Sequence, residues 1–198
     1  MYVNNRENID KEKQLANQLD TVKNVINWLR EEGLEPQEIT HLRKDARYYG
    51  VVIANEAEKG EQTERQRRKA FHILFPVERL DSLSISQIII FDLQTQRAYT
   101  SLAAKTNGIF EQDRFSSELK LALLQMNVHF LIKKGARELQ SLEVSKILFF
   151  DRLTKDALFN TINEVHNSIE IARIKTGLLR DSVLSSEATI ADENSNMK

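Results

Sequence analysis

The segment from Glu143 to Gly177 constrains the fold most, because an apolar run leads directly into a long amphipathic pattern. Residues 147–150, Ile-Leu-Phe-Phe, are too few for a helix and rich in β-forming types, so they predict a strand buried on both faces. Thr154 is a suitable N-cap and Gly177 a suitable left-handed C-cap, so a helix is predicted between them. Its apolar residues recur at alternating steps of four and three, which puts them on one stripe: Leu158, Ile162, Val165, Ile169 and Ala172.

A second amphipathic pattern lies near the start of the sequence, from Gln14 to Glu32. Its apolar residues follow the same alternating steps and predict a helix that Gly33 and Pro36 end. We expect the two stripes to supply the core or the packing surface of a homodimer, and the principal candidates are Leu15, Leu19, Trp28, Leu158, Ile162 and Ile169.

Between these two helices the sequence predicts shorter elements. Three apolar segments indicate strands, two amphipathic segments indicate helices, and one alternating segment indicates a further strand: 48–54, 70–76, 85–91, 95–104, 113–126 and 128–132. Short links between successive strands favour antiparallel pairing. The order α-β-β-β-α-α-β-β-α therefore predicts an α+β fold, with a mainly antiparallel five-stranded sheet and helices packed on one face.

The length of 198 residues suits one domain with a sizeable core. We predict a single α+β domain over residues 14–177. Because both ends of the sequence are polar, we predict a flexible N-terminus over 1–13 and a disordered C-terminal tail over 178–198. Residues 55–69 are predicted to form a charged loop insert between two strands.

Charge and composition argue against several classes of function. The 28 Lys and Arg residues balance 29 Asp and Glu residues, so the net charge of −1 gives no field that attracts nucleic acid or anionic lipid. Without cysteine the chain has no disulfide, thiol nucleophile or thiolate zinc site. No apolar run approaches the ~20 residues of a membrane span, so we predict a cytoplasmic protein.

Few residues are candidates for chemistry, and each has a structural alternative. His166 flanks the apolar stripe of the last helix, as either a ligand or acid–base group, or a partly buried structural histidine. Asp92 and Asp151 follow strands, where a carboxylate either holds a cation or caps the next helix, and capping is the favoured interpretation. His72 and His129 lack a carboxylate spacing that completes a metal site, so neither metal nor cofactor is predicted.

The most basic segment runs from Arg65 to Lys69, within the charged insert. It would bind nucleic acid through phosphate contacts if its cations were unpaired. Acidic residues that can pair with it at helical spacing precede or interrupt it: Glu56, Glu58, Glu61 and Glu64. The favoured interpretation is therefore a solvated segment whose charges compensate one another.

The last predicted helix resembles a known family. It opens with Leu-Thr-Lys-Asp at residues 153–156, and further along it contains Phe159 and the pair Val165–His166. This pattern resembles an archaea-centred prokaryotic family of unknown function, over Val22 to Ile174, and the resemblance implies no catalytic residues. The helix-first α+β order also resembles the fold of type III secretion chaperones, small proteins that often dimerise and bind extended partner segments.

The sequence contains no glycine-rich phosphate loop, zinc-protease helix motif or nucleophile elbow. We therefore interpret the chain as a non-enzymatic protein-interaction or chaperone-like domain that forms a homodimer and binds a further protein partner, with no membrane contact. His166 joins the six stripe residues as an interaction candidate. Two alternatives stay open: a small-ligand binder or enzyme with a polar pocket near Asp92, Asp151 and His166, and a weak nucleic-acid binder through Arg65 to Lys69.

Overall fold

The computed structural model describes residues 3–39, 48–53, 71–76, 79–103, 108–135 and 138–196. These ranges contain four α-helices, six β-strands and one 3-10 turn. In chain order they are α1 (Val3–Glu31), β1 (Pro36–Ile39), β2 (Tyr48–Ile53), β3 (Phe71–Pro76), β4 (Ser82–Ile90), α2 (Leu93–Ala103), α3 (Gly108–Gln125), β5 (His129–Lys134), β6 (Leu139–Phe149), the 3-10 turn (Phe150–Arg152) and α4 (Lys155–Asn196).

The strands form one sheet in the order β1-β2-β3-β4-β6-β5. Strands β1 to β4 pair antiparallel, and Phe71 of β3 lies opposite Ile53 on one side and Gln87 on the other. Strands β4 and β6 are also antiparallel, because the Phe91 amide donates to the Gln140 carbonyl and the Phe150 amide donates to the Asp81 carbonyl. The predicted α+β class with an antiparallel sheet is confirmed.

The predicted count of five strands is wrong, because β1 was not recognised in the sequence. This strand holds only four residues, Pro-Gln-Glu-Ile, and shows no apolar run. It lies at one edge of the sheet, where a proline at the first position is tolerated because its missing N–H is not needed for pairing. Short polar edge strands therefore escape a search for apolar alternation.

The chain divides into two compact units. Unit 1 comprises Met1–Gln87 and Ser145–Val165, and unit 2 comprises Ile88–Val144 and His166–Lys198. Strands β4 and β6 and helix α4 each contribute residues to both units. The sequence-based prediction of a single domain over 14–177 stays a prediction.

The core of unit 1 is built from α1, two strands and the start of α4. Burial alternates along β3: Phe71, Ile73 and Phe75 are buried, and the residues between them are half-buried. The Phe75 ring packs against Phe150 with centroids 6.4 Å apart. The remaining buried apolar side chains of this unit are Val22, Val25, Ile26, Leu29, Leu83, Ile85, Leu158, Ile162 and Val165.

The core of unit 2 joins α2 to α3 around one aromatic pair and one polar cluster. Tyr99 meets Phe115 edge to face, with centroids 6.0 Å apart. The Tyr99 hydroxyl lies 3.2 Å from the Ser116 hydroxyl, which also accepts a 2.7 Å hydrogen bond from Lys134 Nζ. This lysine ammonium stands 5.7 Å from the Tyr99 ring centroid, so the exposed Lys134 contacts both the buried Tyr99 ring and the Ser116 hydroxyl.

Strand β6 begins at Leu139 rather than at Ile147, and its buried residues differ from those predicted. Leu139, Leu142 and Val144 are buried, whereas residues 147, 148 and 150 are only half-buried and Phe149 is exposed. The prediction of a run buried on both faces is therefore wrong. Hydrophobicity alone selected the four consecutive apolar residues, while burial depends on which part of the strand other elements cover.

Helix α4 continues past Gly177 to Asn196, so the predicted C-cap is wrong. A glycine inside a helix costs about 1 kcal/mol relative to alanine, which tertiary packing offsets here, because Leu179 and Val183 extend the buried stripe. The prediction of disorder from residue 178 is corrected accordingly for the described part, up to residue 196. Helix α1 likewise begins at Val3, inside the segment predicted to be flexible.

The predicted start of α4 is confirmed. The Thr154 hydroxyl accepts a 3.1 Å hydrogen bond from the Ala157 amide, as an N-cap does.

No helix in the described ranges combines the length and the apolar character that crossing a membrane requires.

Candidate functional site

Unit 2 contains a surface pocket of about 850 Å³, which we call the α2/α4 pocket. Helix α2 contributes Leu93, Arg97 and Ala98 to its lining, and α4 contributes Arg180, Asp181 and Val183. Glu138, directly before β6, completes the lining from a third element. This volume lies in the range of roughly 300–1,000 Å³ typical of small-molecule sites.

Arg180 is held at the pocket by Asp92. Its Nη1 lies 3.3 Å from Asp92 Oδ2, while Asp92 Oδ1 accepts a 2.7 Å hydrogen bond from the Thr95 amide. Asp92 therefore caps the N-terminus of α2 and orients the guanidinium with its second oxygen. The capping interpretation of Asp92 is confirmed, and the ion pair is an addition that the sequence did not indicate.

The other charged groups of the α2/α4 pocket have no ion pair within the described ranges. This applies to Arg97, which is exposed, and to the carboxylates of Glu138 and Asp181. Ala98 and Val183 are buried and give the lining an apolar part. The pocket therefore presents cations, anions and an aliphatic surface together.

Helix α4 carries apolar side chains on its solvent side as well as in the core. Ile174 is 63% exposed and Leu178, one turn later, is 60% exposed, while Ala172 and Leu179 are buried on the opposite side. We call the surface of Ile174 and Leu178 the outer patch of α4. Two large aliphatic side chains exposed one above the other form an apolar surface that another molecule can cover.

The structure places three of the seven predicted interaction residues in the core. Leu158, Ile162 and Ile169 are buried, which supports a packing role for them rather than a role at a partner surface. Leu19 is 41% exposed and Trp28 is half-buried. Leu15 belongs to α1, but its side chain lies outside the described part of the structure.

The polar candidates predicted from the sequence lie outside the lining of the α2/α4 pocket. Asp92 contacts the lining residue Arg180, while Asp151 and His166 are not among the residues that line the pocket. His166 is half-buried on α4, and Asp151 is exposed on the 3-10 turn. His72 is half-buried and His129 is exposed, and the described residues contain no group of three or more potential metal-ligating side chains.

One lysine in unit 1 has a shifted pKa. Lys155 Nζ lies 2.7 Å from Glu32 Oε1 and 3.0 Å from Glu31 Oε2, at the junction of the α4 N-terminus and the α1 C-terminus. Lys155 donates hydrogen bonds to the carboxylates of Glu32 and Glu31, and these contacts, Glu32 first, raise the pKa of Lys155 above its usual value. This surface ion-pair cluster ties the two helix ends together.

Several predicted features lie outside the described residues. These are the charged insert over 55–69 and the basic segment from Arg65 to Lys69 within it. The nucleic-acid alternative therefore stays a prediction.

The pocket residues were missed because nothing local marks them. Arg97 is a single cation on a short helix, and Arg180 stands beyond the glycine that was taken for the helix end. The Arg180–Asp92 contact joins residues 88 positions apart. Only the continuation of the apolar spacing to Leu179 and Val183 would have kept Arg180 within the helix.

The chain is similar to solved structures, and a TM-score above 0.5 shows a shared fold with one of them. The crystal structure of an uncharacterized protein from Methanothermobacter thermautotrophicus has a TM-score of 0.61 at 20% identity, covering 83% of this chain and 97% of that chain. The crystal structure of YbjN from E. coli has a TM-score of 0.41 at 14% identity, covering 78% of this chain and 86% of that chain. No curated protein matches the sequence.

The family model described as "Uncharacterized conserved protein (DUF2299)" matches residues 21–174. This range includes α2, α3 and the part of α4 whose sequence pattern resembles the archaea-centred family. The chain therefore belongs to the uncharacterized conserved family DUF2299.

Proposed function

We propose that this protein is a non-enzymatic, cytoplasmic protein-interaction domain that associates with a second copy of itself. The observation that carries the proposal is the outer patch of α4, where Ile174 and Leu178 stand exposed on a helix whose other side is buried. An enzyme would need converging polar groups, whereas the candidates Asp92, Asp151 and His166 do not line the α2/α4 pocket.

The occupant that fits the outer patch best is the same patch of another chain. In a two-fold interface residue i of one copy contacts residue j of the other, and the reverse contact follows by symmetry. Two α4 helices that cross antiparallel set Ile174 of each copy against Leu178 of the other. One turn of helix thereby supplies both apolar contacts of a self-complementary interface.

Gly177 supports a close approach at this place. Among the described residues a Cβ built there would meet the Arg180 guanidinium alone, at 3.9 Å, so packing within that part of the chain does not require a glycine. Glycine inside a helix is unfavourable by about 1 kcal/mol relative to alanine. A glycine at this position would allow a partner helix to approach the backbone closely beside Ile174 and Leu178, because glycine has no Cβ.

We expect a concentration-dependent monomer–dimer equilibrium, because interfaces centred on so few side chains are small. Leu178→Glu should weaken dimerisation at least ~10-fold, since it places two charges in the contact. Sedimentation over a range of concentrations measures this. Leu124→Glu is the matched control: it changes an equally exposed leucine on α3 and should leave the dimer intact. A dimer unaffected by Leu178→Glu would contradict the assigned surface, and a wild-type monomer at all concentrations would contradict self-association.

Gly177→Ala separates the two effects of this glycine. We expect the variant to raise the free energy of unfolding of the monomer by about 0.5–1 kcal/mol, through its better helix propensity, while weakening dimerisation. Denaturant unfolding of dilute protein and sedimentation of concentrated protein measure the two quantities. A variant that is stabilised and still dimerises normally would show that no partner backbone approaches Gly177.

Binding of a different protein is the second part of the proposal. The resemblance to type III secretion chaperones, which bind extended partner segments, is its sequence-level support. Native purification from the source cell at gentle salt, with mass measurement of the eluted species, tests it. A defined complex of fixed stoichiometry is the expected result, and recovery of this chain alone would contradict it.

A further inference from the structure

We propose that the α2/α4 pocket binds a small zwitterion with an aliphatic portion, of the class of amino acids and short peptides with free termini. The pocket belongs to unit 2 alone and does not depend on the proposed self-association. Its lining combines two guanidinium groups, two carboxylates and buried aliphatic side chains. Each of these three components matches one part of such a ligand.

The cationic part of the pocket suits a carboxylate. Arg97 is exposed at the pocket, and none of the ion pairs within the described ranges involves it. Arg180 is oriented by one contact to Asp92, at 3.3 Å from Nη1, and a guanidinium has five N–H donors. Guanidinium groups bind carboxylates through paired, charge-assisted N–H donors, which are stronger than hydrogen bonds between neutral groups.

The anionic part excludes purely acidic ligands and suits an ammonium group. Glu138 and Asp181 have no ion pair within the described part of the chain. A polyphosphate in this pocket would meet both carboxylates, and like charges held together are repulsive. The same carboxylates can accept hydrogen bonds from a protonated amino group of the ligand. The charges of the lining therefore select a ligand with both signs.

The apolar part of the pocket lining suits an aliphatic group on the ligand. Ala98 and Val183 are buried in the lining, and Leu93 is exposed beside them. A volume of about 850 Å³ accommodates more than one amino acid, so a short peptide fills it better than a single residue does. We expect aliphatic side chains on the ligand to contact this surface.

Three forms of one dipeptide test the proposal. Ala-Leu is a zwitterion, N-acetyl-Ala-Leu keeps only the carboxylate, and Ala-Leu-amide keeps only the ammonium. Titration calorimetry of the full chain should show Ala-Leu binding at least ~10-fold more tightly than either blocked form. Equal or tighter binding of a blocked form, or no saturable binding of Ala-Leu, would overturn the proposal.

Arg97→Met locates the binding in the pocket. The side chain is exposed, so the fold should be retained, and affinity should fall ~10-fold for Ala-Leu and for the acetylated form but not for the amide. Arg152→Met removes an exposed arginine on the 3-10 turn and should change none of the three affinities. An equal loss for all three forms in Arg97→Met would contradict the assigned contact between the guanidinium and the carboxylate.

Discussion

Ile162→Asp should lower the free energy of unfolding by about 4 kcal/mol, because it places a carboxylate without a partner in the core of unit 1. Ile162 is 8% exposed and lies on the buried stripe of α4 between Leu158 and Val165. Burial raises the pKa of the new carboxyl above the value of about 3.9 that it has in the unfolded chain. The loss of unfolding free energy should therefore be complete at neutral pH and should become smaller as the pH falls below the raised pKa.

Urea unfolding followed by tryptophan fluorescence measures this effect, because the single tryptophan, Trp28, lies in the same unit. Asn163→Asp provides the matched control: it introduces the same side chain one position later, on the exposed side of α4. We expect that control to stay within about 0.5 kcal/mol of the wild type. Similar losses in both variants would show that the assigned helix face is wrong.

Leu123→Ala should lower the free energy of unfolding by about 3 kcal/mol, as removal of a buried leucine side chain leaves a cavity. Leu123 is fully buried in α3, whereas its neighbour Leu124 is 63% exposed. Leu124→Ala makes the identical chemical change in the same helix, so helix propensity cancels between the two variants. We expect the control to change stability by no more than about 0.5 kcal/mol.

Amide hydrogen exchange of α3 measures this second effect, since Trp28 belongs to the other unit. Faster exchange in Leu123→Ala and unchanged exchange in Leu124→Ala are the expected results. Comparable acceleration in both variants would contradict the burial pattern of α3.

Local spacing predicted the helices and strands well. The stripe of α4 is buried from Leu158 to Ala172 at each predicted position, because a period of 3.6 residues depends only on neighbouring residues. The caps at Thr154 and Asp92 were predictable for the same reason, since a capping side chain bonds an amide three residues away. Strand β1 was missed because its four residues carry no periodic signal.

The candidate sites were far less predictable. Leu178 of the outer patch lies beyond Gly177, where the sequence predicted the helix to end. A glycine marks a helix end only when its backbone adopts the left-handed conformation. Gly33 does so, with a φ of 76° at the end of α1, but Gly177 stays helical. Each of the two glycines follows an amphipathic helical pattern in the sequence, and their different conformations depend on the residues that pack around them.

The sequence by itself determined the α+β class, the order of the principal elements and the buried faces of the long helices, because these follow from periodicity and capping over a few residues. The tertiary structure alone decided that α4 continues to Asn196, that Arg180 meets Asp92, and that Arg97, Glu138 and Asp181 line one pocket. Those contacts join distant positions, and burial of Leu179 and Val183 outweighs the local preference of Gly177 to end the helix.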